Sequence, residues 1–235
     1  MEKKQLDTIL LNEGEQFSTY MEMYPNGHRE ILKVIKPECL NDMIKYQKIL
    51  KQFNLEKQIL KSLDIDYIPK YIGGGKNYLK LSYIHGKTLK QMAKEREMGN
   101  HEKIYIMTNL FFITKALHDK NIIHCDIKPS NIVCGIDRKV YLIDFGSATM
   151  KGEKSIYIQA TPGFSAPEIY KPNEKRTYQS DVYSIMAVAY WLKHRKIYKT
   201  DSDNDELNTI FIRGLNYRPK KRYANLDEIL EVLRG

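Results

Sequence analysis

Nowhere does the sequence run for about eighteen uncharged apolar residues, so no helical membrane span is expected. Cysteine is scarce and odd in number. Cys39, Cys125 and Cys134 show no C-x-x-C spacing, which argues against a disulfide framework or a zinc site and fits a reducing, cytoplasmic setting. The first residues, MEKKQLDTILLNEGEQ, lack the long apolar stretch and small-residue cleavage site of a secretory signal. Internal repeats and low-complexity runs are missing too. The net charge of +9 raises the question of nucleic acid or an acidic substrate. No basic stripe interleaved with aromatics supports the first, so nucleic acid is not an expected partner and most of the surplus reads as a lysine-rich solvated surface.

What is present is ordinary in bulk. With 235 residues, 42% hydrophobic and 29% charged, the chain can bury one core or two modest ones. Residues 28–35 (HREILKVI) and 78–84 (YLKLSYI) read as strands, and Tyr24-Pro25-Asn26-Gly27 as the turn of a hairpin before the first. Between them residues 38–63 have helical character, with Leu55, Ile59 and Leu63 four apart, before Gly73-Gly74-Gly75 breaks the chain. Further on, Ile104, Met107, Leu110, Phe111 and Leu117 form an apolar helical stripe. Helices are also expected at 180–193 and 226–234, and short strands at 122–124, 131–134 and 139–144. The change from strand-rich to helix-rich chain near His85-Gly86 indicates an α+β protein of two lobes, 1–84 and 85–235, within one domain.

The chemistry concentrates in residues 124–146, HCDIKPSNIVCGIDRKVYLIDFG. Strands 131–134 and 139–144 are joined by a short turn, so they should pair as a hairpin with Asn131 and Asp144 at one open end. Adjacent strands lie about 5 Å apart, close enough for both side chains to share a ligand. An amide oxygen and a carboxylate aimed at one point suit a hard cation such as magnesium. Asp126 would overhang the same point as a candidate base. Singly, each residue has a plainer reading: Asp126 and Asn131 as turn caps, Asp144 as a turn aspartate, Lys128 as a solvated lysine. Their order is what weighs against it.

That order resembles the protein kinase family across essentially the whole chain. His124-Cys125-Asp126-Ile127-Lys128-Pro129-Ser130-Asn131 matches the catalytic loop, Asp144-Phe145-Gly146 the metal-binding D-F-G, and Ala166-Pro167-Glu168 the A-P-E, after Thr161-Pro162-Gly163-Phe164. The resemblance implies a bilobal fold, with a small antiparallel sheet and one helix in the N-terminal lobe and a mainly helical C-terminal lobe. It implies Asp126 as catalytic base, Asn131 and Asp144 as ligands of magnesium on ATP, and Lys128 beside the transferring γ-phosphate. The lysine at 128 resembles serine/threonine rather than tyrosine kinases. Lys33, inside Ile31-Leu32-Lys33-Val34-Ile35, matches the phosphate-binding strand lysine. Glu56, on one helix face with Leu60 and Leu63, is its expected partner, since a carboxylate on a buried stripe needs a cation. Adenine is expected near Leu81, Ser82, Tyr83 and Ile84, bonded by backbone groups around Ser82 and Ile84, with Ile31 crowding it in place of the family's usual small alanine. His124 should be a buried core histidine. Asp181, in Asp181-Val182-Tyr183-Ser184, should brace the catalytic loop, and Arg222 should pair with Glu168.

Three departures stand out. The glycine-rich loop has shrunk to one glycine, Gly14, in Leu11-Asn12-Glu13-Gly14-Glu15-Gln16-Phe17, and Phe17 and Gly14 cannot both take their usual places. Cys125 replaces the arginine that in many kinases receives an activation-loop phosphate, so activity is expected not to depend on phosphate at Thr149, Ser155 or Tyr157. Only about forty residues separate Asp181 from Arg222, so the helices that often dock protein substrates must be trimmed.

The expected function is ATP- and magnesium-dependent phosphorylation of serine or threonine hydroxyls in proteins, with autophosphorylation and acidic target sequences as further expectations. An inactive scaffolding relative is the main alternative. It is favoured by the poor glycine loop and opposed by the intact Lys33, Glu56, Asp126, Asn131 and Asp144. A small-molecule kinase of related fold would lack Lys128-Pro129 and the A-P-E.

Overall fold

In YLKLS, Leu79 and Leu81 alternate with Lys80 and Ser82 and give the strand two distinct faces, the pattern of a sheet packed on one side. The structure, a computed structural model, describes residues 7–154, 160–198 and 209–229, in two units, Met1–His85 and Gly86–Gly235. In the first, β1 (Asp7–Glu13), β2 (Phe17–Met23), β3 (Arg29–Ile35), β4 (Tyr71–Gly74) and β5 (Tyr78–Ser82) form an antiparallel sheet of order β1-β2-β3-β5-β4. The hairpin turn at 24–27 closes with Gly27 at φ 79°, a conformation that favours glycine. Helix α1 (Met43–Ser62) starts later than the sequence pattern indicates. Pro37 opens a separate 3-10 turn, Pro37–Leu40, and Asp42 then caps α1 by accepting the Lys45 N–H at 3.0 Å. Ile49, Phe53, Glu56, Leu60 and Leu63 lie on its buried side.

Two features of this unit depart from expectation. Gly73 and Gly74 do not break the chain but belong to β4, past a bulge between Tyr71 and Gly73. A side chain at Gly74 would lie 2.8 Å from the Tyr78 carbonyl, so glycine lets the two strands close together. The second feature is a pair of carboxylates, Glu22 and Glu30, directly opposed across β2 and β3 and both buried. Like charges so placed repel. They are held by Lys80, 2.6 Å from Glu22, by the Tyr24 hydroxyl between them, and by His28, 3.0 Å from Glu30. Burial works against the Lys80 cation, but its bonds to Glu22 and Tyr24 prevail and raise its pKa to about 12.

The second unit begins with β6 (Gly86–Thr88) and α2 (Leu89–Glu95), which Thr88 and Gln91 join through a reciprocal capping box. Helix α3 (Asn100–Asp119) follows. Its buried stripe is Ile106, Leu110, Ile113 and Leu117, whereas Ile104 is 64% exposed. Stepping back from Leu110 by one turn reaches 106, and residue 104 has rotated to the opposite side. Next come β7 (Ile122–Ile123), β8 (Ile132–Gly135), β9 (Val140–Leu142) and β10 (Thr149–Met150). Strands β6, β8 and β9 make one antiparallel sheet and β7 and β10 a second. Helix α4 (Tyr178–His194) is buried on most sides through Val182, Ile185, Met186, Val188 and Leu192. A short α5 (Thr209–Gly214) and a helical turn at 226–229 complete the described chain; the rest of the C-terminal helix expected at 226–234 lies outside it. No described helix is long and apolar enough to cross a membrane. The architecture is α+β, an antiparallel sheet with one long helix followed by a mainly helical unit.

Candidate active site

Strand β3 and helix α1 bring together the two charged residues of the first unit. Lys33 Nζ donates to both carboxylate oxygens of Glu56, at 2.9 and 3.0 Å, with the lysine 9% and the glutamate 1% exposed. Phe17 stacks on Phe53 of α1 at 5.5 Å, and Lys33 Nζ lies 4.9 Å from the Phe17 ring centre. The aromatic that fits no glycine-loop pattern therefore packs against the lysine, a role that only the three-dimensional arrangement reveals. Gly14 begins the β1–β2 turn, donating its N–H to the Phe17 carbonyl at 2.9 Å. Glu13 at that turn is paired with Lys36 at 3.1 Å. Ile31 faces Leu81 directly across the sheet, on the same side as Lys33. Ser82 gives its N–H to the Lys70 carbonyl and accepts the Lys70 N–H on its hydroxyl, both at 2.9 Å, so its own N–H is already engaged. Ile84 lies beyond the end of β5, half-buried.

In the second unit Asp181, on the first turn of α4, organises the loop after β7. Its carboxylate accepts the His124 N–H at 2.8 Å, the Cys125 N–H at 2.9 Å and His118 Nε2 at 3.0 Å. A fully buried acid with three donors satisfies the requirement for charge inside a core. Cys125, just before Asp126, takes a positive φ of 66°, a left-handed conformation uncommon for a non-glycine residue. His124 is fully buried, accepts the Asp126 N–H at 3.3 Å on Nδ1 and packs edge-on against Phe145 at 4.9 Å. Burial pushes its pKa down, against the pull of Asp181, Asp126 and Asp144.

Asp126 is the centre of a polar cluster. Its Oδ2 lies 2.7 Å from Lys128 Nζ and accepts from Asn131 Nδ2 at 3.0 Å, while Oδ1 accepts the Thr161 hydroxyl at 2.9 Å. Lys128 Nζ also donates to Thr161 Oγ1 at 3.0 Å. Asn131 is fixed by a second bond from Nδ2 to the Asp126 carbonyl, at 2.9 Å. The hairpin of β8 and β9 has the expected form, Ile132 opposite Leu142, and Ile143 N–H donates to the Asn131 carbonyl at 2.9 Å. Asn131 and Asp144 thus flank the same end of the hairpin, Asp144 in a left-handed conformation at φ 64° with Gly146 N–H on its Oδ1 at 3.3 Å. Chemically the cluster offers a carboxylate oriented by three donors, an ammonium beside it, and two oxygen-bearing side chains on adjoining strand ends.

Farther along the second unit lies a buried ion pair. Arg222 grips Glu168 with two parallel bonds of 2.7 and 2.8 Å, and Ser180 adds a third at 2.9 Å. Thr149 is buried in β10, opposite Ile123, while Ser155 and Tyr157 lie outside the described residues.

These arrangements agree with comparisons to known proteins. A family profile described as "Protein kinase domain" matches residues 16–230. Serine/threonine-protein kinase PknA of Nostoc sp. is 28% identical in an alignment covering 94% of this chain and 44% of that protein. A probable serine/threonine-protein kinase of Clostridium acetobutylicum is 28% identical over 91% of this chain and 36% of its own length. Serine/threonine-protein kinase D of Synechocystis sp. is 25% identical over 94% and 49%. The chain spans less than half the length of these curated relatives. With the profile covering most of its residues, and with Asp126, Asn131 and Asp144 set on a hairpin braced by Asp181, the chain belongs to the protein kinase family.

Proposed function

We propose that this chain transfers the γ-phosphoryl group of ATP to serine and threonine hydroxyls of proteins, with Asp126 as the base. The observation that carries the proposal is the Asp126–Lys128–Thr161–Asn131 cluster, in which one carboxylate receives three donors at 2.7–3.0 Å. Such oriented groups supply what phosphoryl transfer needs, namely positioning and charge stabilisation. Asp126 would accept the proton of the attacking hydroxyl, an assistance worth about 10²–10⁴ in rate. Lys128 would stay with the γ-phosphate as charge spreads over its oxygens, and Lys33, held by Glu56, would bind the other phosphates.

One amide and one carboxylate on adjoining strand ends fit a hard cation that takes its remaining ligands from phosphate and water. Asn131 and Asp144 would hold magnesium, which when bound offsets the negative charge of the phosphates. Ile31, Leu81 and Ile84 would contact adenine, and Gly14 the phosphates. The excess of basic residues favours protein substrates that are acidic around the target hydroxyl.

The test is transfer from labelled ATP with magnesium to acidic and basic protein substrates, for the natural chain, Asp126→Asn and Asp144→Asn. The expected result is incorporation by the natural chain, greater with the acidic substrate and lost in both variants. ATP binding without any transfer by the natural chain would reject catalysis in favour of a binding or scaffolding role. Equal incorporation by Asp126→Asn would reject the proposed base.

A further inference from the structure

In the sequence Arg176 looks like one more cation in a basic, turn-forming stretch, Lys171-Pro172-Asn173-Glu174-Lys175-Arg176. In the structure it is the largest side chain that is fully buried. Its bonds to described residues all go to main-chain carbonyls: Nη1 to Glu168 at 2.5 Å, Nη2 to Ile169 at 3.2 Å and to Lys171 at 3.5 Å. The nearby Glu168 carboxylate is already taken by Arg222 and Ser180. A buried charge without its own counter-ion is costly, so its retention calls for a reason.

Arg176 joins two stretches distant in sequence. Its main chain bonds residues 152–153, Arg176 N–H to the Glu153 carbonyl at 3.0 Å and Gly152 N–H to the Arg176 carbonyl at 2.9 Å, next to a Lys154–Lys175 bridge. Its side chain binds residues 168–171. These stretches bracket the chain that carries Thr161, which contacts Asp126 and Lys128. At position 125, where the catalytic-loop pattern of the family has arginine, the buried cysteine is neutral. Burial, and then the Asp181 charge, raise its thiol pKa well above the ordinary value, and the Arg176 charge acts against them.

We infer that Arg176 is a positioning residue, an internal cation that fixes both ends of the 152–171 segment so that Thr161 stands ready for a protein substrate without any phosphate on the segment. The inference rests on the kinase reading and concerns the regulation of that same site.

The experiment begins with phosphatase-treated natural chain, its lack of phosphate verified by intact mass. Hydrogen exchange and peptide phosphorylation are then compared with those of Arg176→Met and Arg176→Lys. The expected result is slow exchange of the Gly152, Lys171 and Arg176 amides in the phosphate-free natural chain. In Arg176→Met these stretches should exchange faster and the peptide KM should rise about tenfold or more, as loss of charge-assisted bonds implies, while the ATP KM is unchanged. Arg176→Lys, which keeps the charge, should recover part of that loss. A general structural role would instead move both KM values and leave lysine no better than methionine. Two outcomes would overturn the inference: protection and peptide phosphorylation that vanish with phosphatase and return on rephosphorylation, or an Arg176→Met chain with unchanged exchange and peptide KM. Should Arg176→Met fail to fold, the lysine variant and the phosphatase comparison decide. A protected segment in a chain that transfers no phosphate would reject the kinase reading yet support the positioning role.

Discussion

Removing the charge of Lys33 tests whether its pairing with Glu56 exists for stability or for chemistry. At 2.9 Å the two charges attract by about 6 kcal/mol for an effective dielectric of about 20. Taking two ions out of water costs several kcal/mol each, so the intact pair contributes little net stability. Lys33→Met leaves Glu56 buried at 1% exposure with its cation gone, a change of about 3–5 kcal/mol. Protonation sets a ceiling on the charge penalty. Neutralising a glutamate of ordinary pKa at pH 7 costs about 3.7 kcal/mol, and at pH 5 only about 1. Lys33→Met should therefore be destabilised by about 3–4 kcal/mol at pH 7 and by much less at pH 5. The double variant Lys33→Met/Glu56→Met removes both charges and should return to within about 1–2 kcal/mol of the natural chain without recovering ATP binding. Urea unfolding at both pH values, with nucleotide titration of each variant, provides the measurement. A deficit independent of pH, or a double variant no more stable than the single one, would refute the reasoning.

Three further outcomes follow from the geometry. Gly86→Ala places a methyl group 2.3 Å from the Cys134 carbonyl across β6 and β8, so it should destabilise the second unit by about 2 kcal/mol or more, read as a lower denaturation midpoint. His124 has a folded pKa below its ordinary 6.5, so its contribution is complete above that value and declines as acidification protonates the unfolded chain. Stability should therefore fall on acidification below about pH 6.5, a component that a stability-versus-pH series on His124→Phe should not show. Thr161→Val removes the hydroxyl shared by Lys128 and Asp126 and should lower kcat/KM at least about thirtyfold with little change in melting temperature, whereas Thr161→Ser should stay within about threefold; equal losses in steady-state assays would count against a hydroxyl role.

The residues of the second-unit cluster were legible because they lie close together along the chain. Asp126, Lys128, Asn131 and Asp144 fall within nineteen residues, and one hairpin is enough to gather them. The turn before β3 and the approximate extent of α4 were visible for the same reason, since turn chemistry and local periodicity fix them. Glu56 needed one further step, the rule that a carboxylate on an apolar stripe requires a cation. Three features were missed. Gly73, Gly74 and Gly75 read as a break, although the first two belong to β4, because composition does not show that a neighbouring strand needs the space. Ile104 was placed in the α3 stripe although the helical period from Leu110 already favours Ile106, so this was a misreading of the spacing and not a limit of the sequence. Glu22 and Glu30 gave no signal, since Lys80, the cation that holds them, comes from a strand fifty or more residues away, although Tyr24 lies in the turn between them.

Arg176 and Lys33 show where that limit falls. Both are cations that fold into the interior, and isolated sequence windows would put both at the surface. Lys33 could be recovered because its partner announces itself as a charge out of place on an apolar helix face. Arg176 could not, because its partners are carbonyl groups, which every residue carries and no composition distinguishes. Side-chain ion pairs leave a trace at both ends, whereas a side chain bound to backbone leaves one at neither. Cys125 is the single indirect clue: an uncharged residue where the catalytic-loop resemblance leads one to expect arginine. In such a chain the useful question for the sequence is which other cation has lost its access to water, and here only the fold could answer it.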